Sequence, residues 1–284
     1  MAYTTLISAD DLARQLGQSD LCVIDCRFNL TDVTAGQAAY DEGHIRGAVY
    51  AHLDNDLAGK KTGSNGRHPL PDRETLAARL REWGVNRDSQ VVAYDAQGGA
   101  MASRLWWLLR WLGHDKVAVL DGGWKAWCES GGQVTTDVPD RQPGDFAAGD
   151  VLSPAVPVEE LQQLLAEHAV SLVDARDPGR FKGEQEPLDP VAGHVPGATN
   201  HFFMRNLDES GRFLPPEALR ELWAPYLERN PAAAIVHMCG SGVTACHNLL
   251  AMQHAGFTGA RLYAGSWSEW CSDPDRPVAT GDED

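Results

Sequence analysis

The sequence predicts an α/β protein built twice over, and three observations carry that prediction. Short runs rich in β-branched residues, VIDC, VVAYD and VAVLD in the first half and LVDA, IVHMC and ARLYA in the second, alternate with helical segments. Apolar strands interleaved with helices imply parallel sheets covered on both faces. Landmarks also recur in register. Gly113, Trp124, Trp127 and Cys128 return 143 residues later as Gly256, Trp267, Trp270 and Cys271. His44, Gly47 and Ala48 of GHIRGA return after 150 as His194, Gly197 and Ala198 of GHVPGA, and Asp25 and Arg27 return after 149 as Asp174 and Arg176. A colinear order with a slowly drifting offset marks a duplicated domain with loop insertions rather than a short solenoid period. Finally, 284 residues is enough for two domains of ordinary size, each with its own core.

The elements follow in chain order. Ser8 to Asp11 reads as a helix cap before an apolar-periodic segment. In the first copy MASRLWWLLRWLGH has helical periodicity and stops at Gly113; in the second VTACHNLLAMQHAGF does the same and stops at Gly256, glycine just past the last turn being the expected stop. GRHPLPD from Gly66 and GRFLPPE from Gly211 each precede a helix. Proline, glycine and acidic residues replace periodicity over 138–157, which predicts a linker between a domain at 1–140 and a domain at 155–284. The polar C-terminal tail is expected at the surface or frayed.

Charge and composition narrow the partners. A formal charge of −16 makes nucleic acid or an anionic membrane surface a poor partner, although a positive pocket for a small anion remains open. No basic start with an apolar core marks a secretory signal, and no stretch approaches the roughly 20 apolar residues of a membrane span. A cytoplasmic protein is expected. Six cysteines are too sparse for a disulfide scaffold and match no zinc spacing. Cys22 and Cys26 flank a strand, and the second copy places Ala175 at the position of Cys26, so both read as packing residues. Cys128 and Cys271 share one scaffold position and read as structural.

The two copies differ where chemistry is expected. VVAYD ends at Asp95, whereas IVHMC ends at Cys239 and opens the loop CGSGVTAC. Gly240 and Gly242 let amide N–H groups turn inward, and the following helix adds its positive end, so the loop should form an anion cradle that favours a thiolate. Asp95 cannot attack as a thiolate, which leaves the second half as the active one. A Cys-based phosphatase needs an arginine six residues after the nucleophile to clamp phosphate; that position is Ala245, and the loop is one residue short. Cys246 reads as a buried helix residue, with redox pairing to Cys239 the competing view.

With phosphatase chemistry set aside, the remaining motifs have a common bearing. GHIRGA and GHVPGA, VDAR at 173–176, CGSGVTA at 239–245 and GSWSEW at 265–270 together resemble the tandem-domain rhodanese family of sulfurtransferases, over essentially the whole chain. The resemblance implies two rhodanese-like domains, the first inactive and the second bearing the cysteine, with the substrate cleft between them. It implies that Cys239 takes a sulfane sulfur from a small anionic donor, becomes a persulfide and passes the sulfur to cyanide or a thiol. No metal or organic cofactor is implied.

CGSGVT is closer to the 3-mercaptopyruvate branch of that family than to the CRKGVT of the thiosulfate branch. The branch implies a polar relay, which carries over to Ser241, His44 of the GHIRGA motif and Asp32 upstream of it. Against that, His44 has a twin in His194, so both histidines could serve a turn, and Ser241 could cap the next helix. Gly240, Gly242, Val243 and Thr244 line the cradle and are expected to bind substrate. Arg180 in GRFKGE matches the family's arginine for the donor carboxylate; a second arginine after EP is replaced by Leu188. Thiosulfate therefore stays open as donor, as do a noncatalytic binding module and a redox carrier using Cys246.

Overall fold

Both parallel sheets grow from the apolar runs, and the residues at their ends place the site. The computed structural model describes residues 2–228 and 230–282. In the first half the strands are β1 (Leu6–Ile7), β2 (Leu21–Asp25), β3 (His44–Ile45), β4 (Val49–Tyr50), β5 (Gln90–Tyr94), β6 (Val117–Leu120) and β7 (Val134–Thr135). Five of them form a parallel sheet in the order β1-β6-β5-β2-β4, while β3 and β7 make a small antiparallel pair. In the second half β8 (Ser171–Asp174), β9 (Thr199–Asn200), β10 (Ile235–Met238) and β11 (Arg261–Leu262) give a parallel sheet ordered β11-β10-β8-β9. Every residue of β2, β5, β6 and β10 is buried, so both faces of each sheet are covered, as the unbroken apolar runs require.

The helices also follow the sequence pattern. Ser8 caps the helix Ala9–Gln15 by accepting from the Asp11 amide. The helices Ala102–Trp111 and Ala245–His254 are buried on nearly every side, and Gly113 and Gly256 follow them with φ of +89° and +93°. Five short strands, β1, β3, β4, β7 and β9, escape the sequence pattern because two residues carry no periodicity. Among the described residues no helix is long and apolar enough to cross a membrane.

Contacts group residues 2–59, Pro71–Leu152 and Asp208–Phe213 into one unit, and Lys60–Leu70, Ser153–Leu207 and 214–282 into another. The glycine-arginine motifs are thus exchanged: Gly66 and its neighbours belong to the second unit, Gly211 and its neighbours to the first. The segment expected as a linker is tied down for much of its length. The Gly144, Phe146, Gly149 and Leu152 amides donate to carbonyls of Arg81, Val85, Leu112 and Arg110 within the first unit.

Each copy of the Asp-x-Arg motif is a buried ion pair. Arg27 bonds Asp25 through Nε and Nη2, reaches the Gly43 carbonyl and lies 4.4 Å from the Trp124 ring centroid. Arg176 repeats this with Asp174, the Gly193 carbonyl and Trp267 at 4.8 Å. One motif therefore fastens the strand end, the Gly-His turn and the tryptophan helix in both halves. The equivalence is not complete, since Cys128 is exposed where Cys271 is buried.

The second unit also buries histidines. His201 stacks on Trp223 at 4.0 Å and faces Asn206 Oδ1 and the Tyr226 hydroxyl, each at 3.1 Å. Burial lowers its pKa to about 4, and burial together with the nearby His201 charge lowers that of His237 to about 3. In the unfolded chain both titrate near 6.5, so below that pH the unfolded chain binds protons that the fold refuses. The neutral-ring contribution is complete above about pH 6.5 and is lost as pH falls toward about 4 for His201, amounting to about 3 kcal/mol. The urea midpoint should fall between pH 7 and pH 4.5, and His201→Asn should flatten that decline; an unchanged slope in the variant would refute the assignment.

Candidate active site

Cys239 sits one residue beyond β10 and six residues before the helix Ala245–His254. Its amide donates to Ser266 Oγ at 3.1 Å, and its carbonyl accepts from the Trp267 amide. Ser266 is one of two described non-glycine residues with positive φ, at 54°; its first-unit counterpart is Gly123 at 56°. Holding a serine there costs on the order of 1 kcal/mol, and its hydroxyl, which also donates to the Tyr263 carbonyl, fixes the cysteine backbone. Gly242, with φ of +75°, is required: a Cβ there would strike the Ala264 carbonyl oxygen.

The first unit displays what such a loop does to an anion. The Asp95 carboxylate accepts from four amides, those of Gln97 and Gly99 at 2.9 Å on Oδ1 and those of Met101 and Ala102 at 2.7 and 2.9 Å on Oδ2. Among the described residues, the amides of Ser241, Val243, Thr244 and Ala245 in the second unit have no acceptor, although all but Thr244 are buried. The loop is thus filled by a carboxylate in one copy, and in the other it follows a cysteine with its amides open. Gly240, Gly242, Val243 and Thr244 all lie in this loop as expected.

The relay differs from the sequence expectation. His68 Nδ1 lies 2.7 Å from Ser241 Oγ, with both side chains buried, so Ser241 is committed to a histidine and does not cap the helix. His44 is corrected: its ring stacks on Tyr40 at 3.8 Å, and its nitrogens face the carbonyls of Tyr40 at 2.8 Å and Asp137 at 3.1 Å. His194 repeats this on Phe181, with the same 3.8 Å stacking distance and a 2.8 Å approach to the Phe181 carbonyl, so this histidine is a turn residue in both copies. Asp32 is also corrected. It is exposed and accepts from the Thr34 amide and hydroxyl, contacts that lower its pKa and order the turn before the helix Ala35–Glu42.

Cations meet the loop at Gly240. A Cβ on Gly240 would lie 2.8 Å from Arg67 Nη2 and 3.4 Å from Arg180 Nη1 and Nη2. Arg180 is held by Glu186 at 2.7 Å and by Asp189 at 3.4 Å, and Arg67 pairs with Asp189. Burial by itself would raise the Glu186 carboxyl, but Arg180 and the amides of Leu188 and Asp189 outweigh it and hold it below its ordinary value. Leu188, at the position of the family's second arginine, is exposed and contributes only that amide to Glu186. Cys246 is buried, with its thiol 3.3 Å from the Gly242 carbonyl. A first-unit cavity of about 560 Å³ beside Arg46, Gly47 and Arg141 is lined by no cysteine. Among the described residues no cluster of three or more histidine, cysteine or carboxylate side chains could hold a metal ion.

Comparison with known proteins fits this geometry. The model of the rhodanese-like domain matches twice, over residues 8–130 and 157–273. The chain belongs to the rhodanese family. A probable 3-mercaptopyruvate sulfurtransferase of Pseudomonas aeruginosa is 50% identical over 284 residues, covering 99% of this chain and 100% of that one. A putative thiosulfate sulfurtransferase of Mycobacterium tuberculosis is 39% identical over 281 residues, covering 97% of each. The solved structure of SseA from Escherichia coli, described with the rhodanese fold of 3-mercaptopyruvate sulfotransferases, superposes with a TM-score of 0.80 at 31% identity, covering 93% of this chain and 99% of that one. In this tandem rhodanese, then, an aspartate fills one loop, and a cysteine stands at the head of the other.

The cradle can be tested in the first unit. Asp95→Asn is nearly isosteric but turns an NH2 group onto two of the four donors. Urea unfolding should show a loss of about 3 kcal/mol; a loss within a few tenths would mean the loop is no anion cradle.

Proposed function

We propose that this rhodanese is a sulfurtransferase in which Cys239 takes a sulfane sulfur from 3-mercaptopyruvate and hands it, through a persulfide, to a thiophilic acceptor such as cyanide or a thiol. The observation that carries the reading is the set of amides without acceptors in the loop that follows Cys239, whose twin in the first unit closes on a carboxylate. In this reading residues 1–140 are the inactive rhodanese domain and 155–284 the catalytic one.

The steps follow from the groups at hand. The Cys239 thiolate attacks the donor sulfur; an S–S bond forms as the donor C–S bond breaks, and the bonding pair passes into the enolate of pyruvate. The donor's thiol proton is then in excess on sulfur and lacking on the enolate carbon. Ser241 and His68, 2.7 Å apart, relay it from one to the other. The terminal sulfur of the persulfide settles among the amides of Ser241, Val243, Thr244 and Ala245 as an anion. An acceptor nucleophile then takes that sulfur, and Cys239 leaves as the thiolate. Arg180 binds the donor carboxylate, and Gly240 leaves room for its guanidinium, which a side chain such as that of CRKGVT would meet.

The 50% identical relative supports the donor choice. The relative from Mycobacterium tuberculosis supports thiosulfate as the alternative. The charge of −16 and the six unpaired cysteines suit a cytoplasmic enzyme acting on small molecules rather than on nucleic acid.

Intact mass after addition of 3-mercaptopyruvate without acceptor should rise by one sulfur atom in the wild type and stay unchanged in Cys239→Ser. With cyanide as acceptor, kcat/KM should favour 3-mercaptopyruvate over thiosulfate, and the reverse order would overturn the donor assignment. His68→Ala should lower kcat by about a hundredfold or more. His44→Gln should lower the melting temperature but leave turnover per folded molecule near that of the wild type, and equal kinetic losses in both variants would overturn the relay through Ser241 and His68.

A further inference from the structure

We propose that Asn206 is a positioning residue for sulfur transfer: its buried amide clamps the first turn of the helix Ala245–His254 and so keeps the loop after Cys239 in shape while no anion fills it. The proposal rests on the reading of Cys239 as a sulfur carrier, and it goes beyond it by naming what holds the empty cradle.

Asn206 ends the single-turn helix Phe203–Asn206 and is sealed from water. Its Nδ2 donates to Asn248 Oδ1 at 2.8 Å and to His247 Nδ1 at 3.2 Å, so one NH2 group grips two consecutive residues. Its Oδ1 lies 3.1 Å from His201 Nε2, and Asn248 Nδ2 donates to the His201 carbonyl at 3.0 Å. The network is rooted in the sheet, because the His201 amide donates to the carbonyl of Asp174 at the end of β8. His201, His247 and Asn248 are as deeply buried as Asn206. A buried network whose members are satisfied rigidifies what it joins, and it is costly when one partner is lost. His247 and Asn248 follow directly on Ala245 and Cys246, and Ala245 carries the last of the loop amides without an acceptor among the described residues.

The first unit shows why one copy needs this clamp and the other does not. There the Asp95 carboxylate reaches the amides of Met101 and Ala102 and pins the helix Ala102–Trp111 at its start. Ala51, Arg104 and Leu105 stand where the second unit has His201, His247 and Asn248. The match of Ala51 to His201 is fixed by its amide, which donates to the Asp25 carbonyl as that of His201 does to Asp174. After Cys239 the start of the helix is held through side chains instead, which leaves its amides free for an incoming sulfur. Donors fixed in advance need no reorganisation when charge develops, and their value in a transition state lies there.

The test is single-turnover loading of the full-length protein without acceptor, followed by intact mass, with 3-mercaptopyruvate and thiosulfate as separate donors. The rate constant reports the geometry of the loop, whereas the final fraction loaded reports how much protein is folded. Asn206→Leu, and the milder Asn248→Leu that installs the first unit's residue, should lower the rate constant about tenfold or more for each donor that loads the wild type. Final loading per folded chain should stay that of the wild type. His44→Gln, which lowers stability without touching the clamp, should leave the rate constant unchanged. An unchanged rate constant in the Asn206 and Asn248 variants, with only a lower melting temperature or a smaller loaded fraction, would make the network purely structural and overturn the proposal. A loss confined to one of two active donors would place the effect in donor binding and overturn it as well. If the wild type gains no sulfur from either donor, the sulfur-carrier reading fails and this proposal falls with it; if the wild type loads and the variants load as fast, only this proposal fails.

Discussion

A chain of alternating charge runs through the second unit and fixes the two arginines that meet the loop at Gly240, the residue after Cys239. It begins in the sealed interior with Asp174 and Arg176, continues through Glu186 and Arg180, and ends with Asp189 and Arg67; side-chain exposure rises from 0% at Asp174 to 25% at Arg67. Each charge taken out of water is matched by a neighbour of opposite sign. Removal of any inner partner would leave an uncompensated buried ion, at a cost of about 3–5 kcal/mol. The outer arginines are therefore not surface side chains free to wander. Their donor directions are set by a salt-bridge network rooted in the end of β8.

The network separates what the sequence reveals from what it hides. Strands, helix stops, the duplication and Cys239 are legible because periodicity and register act over short stretches. The glycine-arginine segments obey no such local rule: Lys60–Leu70 lies in the first half of the chain yet belongs by contact to the second unit. His68 and Arg67 escape a reading of the sequence for that reason. One signal for His68 does exist. Cys239 stands out because its twin is Asp95, and the same comparison sets His68 against Phe213, whereas His44 and His194 are identical and share one turn-holding role. Asymmetry between copies identifies chemistry, and identity between them identifies architecture. Arg67 defeats even that comparison, since its twin Arg212 is also arginine.

Arg212 shows how one residue type can serve two ends. In the first unit it lies against Gly122 and beside Asp121, whose other partner is the Phe213 amide at 2.9 Å, so the segment closes a loop. In the second unit the corresponding segment rests on Gly265 and Ser268 and directs Arg67 and His68 toward the cysteine loop. The duplication supplied the scaffold, and the copies differ, phenylalanine against histidine and aspartate against cysteine, at the positions to which the proposed sulfur transfer assigns chemistry.

The cradle gives this difference a thermodynamic direction. Asp95 fills four amide donors permanently, so in the first unit the loop contributes to stability at all times. Around Cys239 the equivalent donors have no acceptor, and Ser266 adds the strain of a left-handed serine. Unpaired buried donors and strain both raise the free energy of the resting loop. In the proposed reaction a second sulfur bearing negative charge would supply the acceptor that Asp95 supplies in the other copy. In the proposed cycle the loop is completed by its cargo, and the loaded state would gain the hydrogen bonds that the resting state lacks. Transfer to an acceptor must then return the loop to its less satisfied form, which ties release of sulfur to the nucleophilicity of the acceptor rather than to spontaneous loss into water.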